Sequence, residues 1–366
     1  MVITTMNNTE GNITYPDHYD TYIIARNIQK YSKPVICLLG FIGNFLSAAI
    51  FLSKSQRKTS CSLYLGARSL SDTGFLVSLF CIWLGDMRIN AFKAPGMCQS
   101  IIFVSYVCAF LSVWFIVMVT FENYIRICMP FTVNLYCTTK KAKIVISIFI
   151  LISFIIYNFT LWTTNVKVTI SGMSMCEPVR EFEEILQYLS YVDTFVTLIF
   201  PTLITIVLML PITFSLLEVL RRQARLTGKS QQNTDRRPTS NPQSKVTKLL
   251  FSVSLTFILL NLPSHVVRLQ LTISKFVAQQ GITNLLTYSI KFIFETVYYL
   301  SFSINIVIYF VFGDKFRNDF KTKFSLCFMK RKTTSHQELQ TLNSNMCNDR
   351  EEVHALLSKM DKATNV

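Results

Sequence analysis

Long uncharged runs alternate with short polar breaks along this 366-residue chain. Residues 34–52, 99–121, 144–163 and 194–217 hold no charged residue, and each reaches the roughly 20 residues that a helix needs to cross the hydrocarbon layer. Segments 61–84, 249–274 and 285–312 are also long and apolar but carry isolated ionisable or strongly polar residues, which are expensive in lipid and tend to mark function. The pattern predicts an all-α membrane protein, a seven-transmembrane helix bundle. After Gly313, Phe312, Phe316, Phe320 and Phe324 repeat every four residues while Lys315, Arg317, Lys321 and Lys323 fall on other faces. That arrangement predicts a short amphipathic cytoplasmic helix lying in the membrane surface.

The expected organisation is an extracellular glycosylated arm over residues 1–32, the seven-helix domain over 33–312, the juxtamembrane helix over 313–328 and a disordered cytoplasmic tail over 329–366. Thr333, Thr334 and Ser335 in the tail are candidate phosphorylation sites. The Ser-, Thr-, Gln-, Asn- and Pro-rich stretch 227–244 reads as a flexible linker between the fifth and sixth helices.

Composition agrees with a membrane environment. The chain is 51% hydrophobic and 16% charged, with 30 Phe, too little polar surface to clothe a soluble domain of this size. The net charge of +15 taken alone suggests nucleic acid, but its placement argues against that partner. Stretches 53–60, 129–143, 221–248 and 313–332 hold twenty-one Lys and Arg, whereas 85–97, 163–190 and 275–284 hold five. Basic loops stay inside the cell, which places the N-terminus outside and the C-terminus inside, in the plasma membrane. The first 33 residues lack a hydrophobic signal-peptide core, so the first helix is expected to act as its own insertion signal. Asn7 and Asn12 head sequons in this outer arm and are candidate glycosylation sites. A third sequon, at Asn158, falls inside the fourth helix and is discounted.

Of ten Cys, Cys98 and Cys176 alone fall on the oxidising side, and they are the expected disulfide, tying the second outer loop over the bundle mouth. Cys37, Cys61, Cys81, Cys108 and Cys128 sit in or near the spans, where free thiols behave as small hydrophobes. Cys327, after the basic helix, is either a palmitoylation site or a plain thiol. No metal-ligand spacing is present, and no cofactor is implied.

Several motifs together carry a family resemblance: Gly43-Asn44, Ser69-Leu70-Ser71-Asp72, Cys98, Glu122-Asn123-Tyr124, Pro201, Pro263 and Asn305 to Tyr309. In order and spacing they resemble the rhodopsin-like G-protein-coupled receptors over about residues 33–325. Asp72-Thr73-Gly74-Phe75, Phe110 to Phe115 and Asn261 to His265 are further similar to invertebrate neuropeptide receptors, those for CNMamide-type peptides among them. The resemblance implies an extracellular peptide ligand, a heterotrimeric G protein and arrestin inside the cell, and membrane lipids around the bundle.

The departures from the family pattern bear on the switch. Asn123 stands where the family has the arginine that locks helix three to helix six. Ile306 replaces the seventh-helix proline and Asn261 the sixth-helix tryptophan, while Phe149 stands for the fourth-helix tryptophan and Met209 for the fifth-helix tyrosine. Conventional coupling is therefore in question. The rival reading is a receptor-shaped protein that binds a ligand or partner without activating G proteins.

The resemblance also implies a polar core of Asn44, Asp72, Ser112 and Asn305, in which family members gather a sodium ion on the carboxylate. Arg68 lies one turn from Asp72. Three readings stand: Arg68 replaces sodium as the partner of Asp72, it reaches Glu122 in place of the lost arginine, or it extends to the cytoplasmic surface. Arg126, one turn beyond Asn123, is either a substitute cation for the G protein or an ordinary basic helix end, the second being favoured. Glu122, Asn123, Arg126, Pro263 and Tyr309 are the coupling and switch positions. Pro201 and Pro263 are expected to let their helices bend.

The candidate ligand pocket is the outer half of the bundle, with Glu295, Lys291, Arg268, His265, Asp193, Tyr106 and Tyr299 as contacts and Phe110 and Tyr298 as further aromatic wall. Charges of both signs suit a peptide. Glu295 has the alternative of a purely local pair with Lys291, and for His265 a structural role is favoured. Glu177, Glu181, Glu183 and Glu184 form an acidic rim that either draws in a basic peptide or is simply solvated. A transporter would show an inverted repeat with interrupted helices, and an enzyme would need a convergent polar constellation that the four scattered His do not supply.

Overall fold

The computed structural model describes residues 18–87, 89, 92, 94–168, 174–229, 242–278 and 285–323. Four long helices come first: α1 (Tyr19–Phe51), α2 (Ser60–Asp86), α3 (Met97–Cys128) and α4 (Thr139–Tyr157). An antiparallel hairpin of β1 (Thr164–Val168) and β2 (Ser174–Pro178) follows, with Val166 opposite Cys176. The fifth span joins α5 (Glu183–Asp193), a π-helical segment Thr194–Ile199 and α6 (Phe200–Lys229). The sixth is α7 (Pro242–Ala278), and the seventh is the pair α8 (Leu285–Ser303) and α9 (Asn305–Phe312), bent by 50°. Among the described residues six helices are long and apolar enough to cross a membrane, and the bent pair makes seven.

Polarity in this bundle is inverted relative to a water-soluble protein. Leu38, Leu39, Phe45, Leu151, Ile155, Val207 and Phe214 are each more than half exposed, while Asn44, Asp72, Asn123 and Thr205 are fully buried. Apolar side chains outside and hydrogen-bonding groups inside are what lipid selects, because an unpaired polar group in hydrocarbon is costly.

Close packing of the first helix depends on two glycines. A Cβ on Gly40 would lie 2.4 Å from Leu76 and 2.7 Å from Ser303, and one on Gly43 would lie 2.8 Å from Ile306. Both contacts let α1 approach α2 and the seventh span closely, in the manner of small residues at helix crossings.

Two features extend beyond the hydropathy pattern. α1 begins at Tyr19, inside the stretch expected to be arm, because Ala25 and Gln29 on its polar extension are buried and the Gln29 amide donates to Glu295 at 2.9 Å. The hairpin gives the second outer loop regular structure. It is tethered by the disulfide between Cys98 and Cys176, and it packs with Phe92, Ile101 and Ile82.

Residues 314–366 form a separate unit from residues 1–313. Within it, residues 314–323 are helical and carry Phe316 and Phe320 among Lys315, Arg317, Lys321 and Lys323, and Arg317 pairs with Asp314. Phe324, Cys327, the tail and the sequons at Asn7 and Asn12 lie outside the described residues.

Candidate functional site

A cavity of about 1010 Å³ opens between α5, α7 and α8 at the hairpin end. Its lining includes Glu183, Tyr191, His265, Arg268, Lys291, Glu295, Tyr298 and Tyr299. Five of the seven expected contacts thus meet in one space. The other two, Asp193 and Tyr106, lie behind the lining. Asp193 is 7% exposed and accepts from the Tyr157 hydroxyl at 2.8 Å. It also faces the Arg268 guanidinium at 3.4 Å. Tyr106 packs against Tyr157, ring centroids 5.5 Å apart.

Asp193 therefore anchors a three-helix polar cluster. Tyr157 ends α4, Asp193 ends α5 and Arg268 reaches across from α7. Backbone geometry assists, because the π-helical segment starts immediately after Asp193, and Thr197 Oγ1 donates to the Asp193 carbonyl at 2.6 Å. Such π-segments often occur at functional sites. Nearly half of the Arg268 side chain remains exposed, so the cation that Asp193 holds still faces the cavity.

Glu295 has two neighbours. Lys291 Nζ stands 3.6 Å away on the same helix, and Gln29 donates from α1. The expected local pair is present, yet both Glu295 and Lys291 also line the cavity. His265 is buried and packs against Tyr298 at 6.1 Å. Of the acidic rim, Glu183 lines the cavity, whereas Glu177 pairs with Lys167 across the hairpin at 3.1 Å.

Below the cavity, the polar core assembles around Asp72. Ser112 donates to its Oδ1, Asn305 donates to Oδ2 at 2.8 Å, and Arg68 Nε lies 3.8 Å from Oδ2 with the whole arginine 3% exposed. Of the three readings of Arg68, the structure shows the pairing with Asp72. Glu122 is engaged instead by Arg126 at 3.4 Å, and the burial of Arg68 excludes extension to the surface. A carboxylate that already faces a resident guanidinium does not fit a sodium ion, since a second cation in low dielectric would repel the first. Among the described residues no cluster of three or more His, Cys, Asp or Glu could hold a metal.

The seventh span bends without the family's proline. Asn44 Nδ2 donates to the Phe302 carbonyl at 2.7 Å, drawing a backbone acceptor out of the helix next to the break. Ile306, in the proline's place, packs on Gly43. In the sixth span Asn261 occupies the tryptophan position, 2% exposed, and its Oδ1 accepts from Ser301 at 3.1 Å. A hydrogen bond thus ties α7 to α8 where the family has an aromatic ring.

At the opposite end, Asn123 is fully buried, and neither of its amide atoms finds a hydrogen-bond partner among the described residues. One turn before it, Thr120 Oγ1 and Ser254 Oγ stand 2.8 Å apart, joining α3 to α7 inside the bundle. Sequence reading did not single out Thr120, Ser254, Gln29 or Tyr157. Small hydroxyls such as Thr120 and Ser254 in apolar runs carry no spacing signal, and like Gln29 and Tyr157 they gain meaning only from a partner far along the chain.

Seven spans, the tethered hairpin and a cavity at the hairpin end define a membrane receptor bundle. Residues 43–339 match the family model described as 7 transmembrane receptor (rhodopsin family), and the chain belongs to that family. It is 25% identical to galanin receptor 2a of Danio rerio, over 81% of this chain and 78% of that receptor. It is 23% identical to somatostatin receptor type 4 of Rattus norvegicus, over 84% and 76%. A shorter match, 30% identical, links 34% of this chain to 30% of FMRFamide peptide receptor frpr-18 of Caenorhabditis elegans.

Proposed function

We propose that this protein is a neuropeptide receptor of the plasma membrane, with its N-terminus outside, that binds a basic peptide in the outer cavity and signals to a heterotrimeric G protein. The observation that carries the reading is the cavity of about 1010 Å³, lined by Glu183, Glu295, Lys291 and Arg268. Charges of both signs on an aromatic floor offer a peptide both salt bridges and ring contacts. The names of the relatives, all receptors for peptides, support the same class of ligand.

The mechanism is a population shift. A peptide that inserts a cation near Glu295 or a carboxylate near Arg268 competes with the resident partners, Lys291, Gln29 and Asp193. It therefore binds best to an arrangement of the fifth to seventh spans in which those contacts have rearranged. Asn261–Ser301 links α7 to α8, and Thr120–Ser254 holds the G-protein end closed. Release of the second contact frees α7 to swing outward from α3. Arrestin and the phosphorylatable tail complete the cycle in this reading.

Capture without coupling is the second reading, and Asn123, buried with no hydrogen-bond partner among the described residues, favours it, because no arginine stands there to meet a G protein. Displacement of a fluorescent amidated peptide from the full chain in nanodiscs tests the site. Glu295→Gln and Arg268→Gln should each weaken binding by at least tenfold. Unchanged affinity in both variants would remove the cavity as the binding site.

A further inference from the structure

Pro34 lies inside α1, toward its outer end. It has no N–H, so the Lys30 carbonyl four residues earlier loses its helical donor. The Trp83 indole N–H of α2 donates to that carbonyl instead, at 2.8 Å, and Lys33 Nζ faces Asp86 of the same helix at 3.6 Å. A backbone acceptor that only a neighbouring helix satisfies ties the outer turns of α1 to α2, because parting them would strand the carbonyl.

Gln29 stands beside this joint. It is 6% exposed and lies behind the cavity lining, and its amide donates to Glu295 Oε2 of α8 at 2.9 Å. Further out on the same two helices, Tyr22 packs against Phe292 with ring centroids 5.7 Å apart. One oxygen of a cavity-lining carboxylate is thus held by a helix that is itself anchored to α2.

The first helix grips the seventh span at two heights. About 22 Å further along α1 from Gln29, Asn44 Nδ2 holds the Phe302 carbonyl beside the 50° bend. Asn44 is fully buried against a backbone group, whereas the Glu295 side chain is 31% exposed and lines the cavity. A charge entering the cavity can therefore reach the upper hold and not the lower one, which remains as the pivot.

We propose that the Gln29–Glu295 hydrogen bond is a latch that holds the outer half of the seventh span to α1 and that a cationic peptide group releases. Gln29 and Trp83 are its positioning residues, and both act through Glu295. The proposal rests on the peptide reading of the cavity given above. A full positive charge beside the carboxylate outcompetes a neutral amide donor. The closed latch lowers the apparent affinity for the cation by the fraction of molecules in which it is shut.

The test measures binding of a fluorescent amidated peptide containing an arginine, and of its twin with citrulline in that place, to the full chain in nanodiscs. Citrulline keeps the size of arginine and lacks its charge. Wild type should prefer the arginine peptide, and Glu295→Gln should erase the preference. Gln29→Met, which keeps the volume and removes the donor, should tighten the arginine peptide about fivefold and leave the twin unchanged. Trp83→Phe, which drops the indole N–H, should tighten it about twofold. Hydrogen–deuterium exchange in the outer turns of α8 should rise in Gln29→Met without peptide to the level that the arginine peptide produces in wild type.

If Gln29→Met fails to fold, Gln29→Asn, a methylene shorter and still polar, decides in the same way. Unchanged or weaker binding of the arginine peptide in the folded Gln29 variant, or α8 exchange that stays at the resting wild-type level, would overturn the latch while leaving the Glu295 site in place. Equal tightening of both peptides would also overturn it, because the variant would then act on the shape of the cavity and not on its charge. A Glu295→Gln receptor that keeps its preference for arginine would overturn the cavity reading beneath the latch.

Discussion

Arg68 Nε lies 3.8 Å from Asp72 Oδ2 in the middle of the bundle, and both residues are almost wholly shielded from solvent. The core of this receptor carries its own cation. A guanidinium fixed one helical turn from the carboxylate neutralises it whatever ions surround the membrane.

Sodium should therefore have no specific effect on the unaltered protein. Thermal unfolding of purified receptor is expected to give one Tm in sodium chloride and in choline chloride at equal concentration. Arg68→Leu strands Asp72 as a lone buried charge and should cost about 3–5 kcal/mol in choline chloride, with part of the loss recovered in sodium. Sodium stabilising the wild type as strongly as the variant would contradict the pairing.

The hydroxyl contact between Thr120 and Ser254 should restrain the closed state. A single buried hydrogen bond contributes about 1 kcal/mol, so Thr120→Val should raise ligand-independent nucleotide exchange by up to about fivefold. Ser254→Ala should do the same, and the double variant should add little further, since both remove one contact. Basal exchange that does not change in either single variant would dismiss the contact as a restraint.

Two charges of the outer cluster should prove coupled. Removing one member of a close charge pair at a binding site costs about 2–5 kcal/mol, much of it from the partner left behind. Asp193→Asn and Arg268→Gln should each reduce folded yield or peptide affinity, and the double variant should lose less than the sum. Strict additivity in a double-mutant cycle would mean that the 3.4 Å approach contributes nothing.

Gly40 should tolerate no side chain. With Leu76 and Ser303 standing 2.4 and 2.7 Å from the position of a Cβ, Gly40→Ala is expected to lower stability by about 1–3 kcal/mol through overpacking. Gly40→Val should reduce surface expression further, which flow cytometry of tagged cells would reveal. Normal expression of both variants would show that α1 is free to shift.

Hydropathy made the seven spans legible because lipid imposes length and apolarity on every crossing. Cysteine placement made the Cys98–Cys176 bond legible, and helical spacing set Arg68 beside Asp72. The start of α1 was hidden, since Arg26, Gln29 and Lys30 look like loop residues until Gln29 is seen against Glu295, far along the chain. The partners of Asp193 were hidden for the same reason: Tyr157 and Arg268 approach it only after three helices have packed. The 50° bend of the seventh span without its proline was hidden as well, since Asn44 meets the Phe302 carbonyl beside it only across 258 residues of chain.

Nucleotide exchange on purified heterotrimeric G proteins, driven by a basic amidated peptide that binds the full chain in nanodiscs, tests most directly whether cavity binding becomes signalling. The expected result is peptide-dependent exchange on at least one G-protein class, lost in Glu295→Gln at peptide concentrations that saturate the wild type. Tight, Glu295-dependent binding with no exchange on any class would contradict it and leave a protein that captures peptide without transmitting a signal.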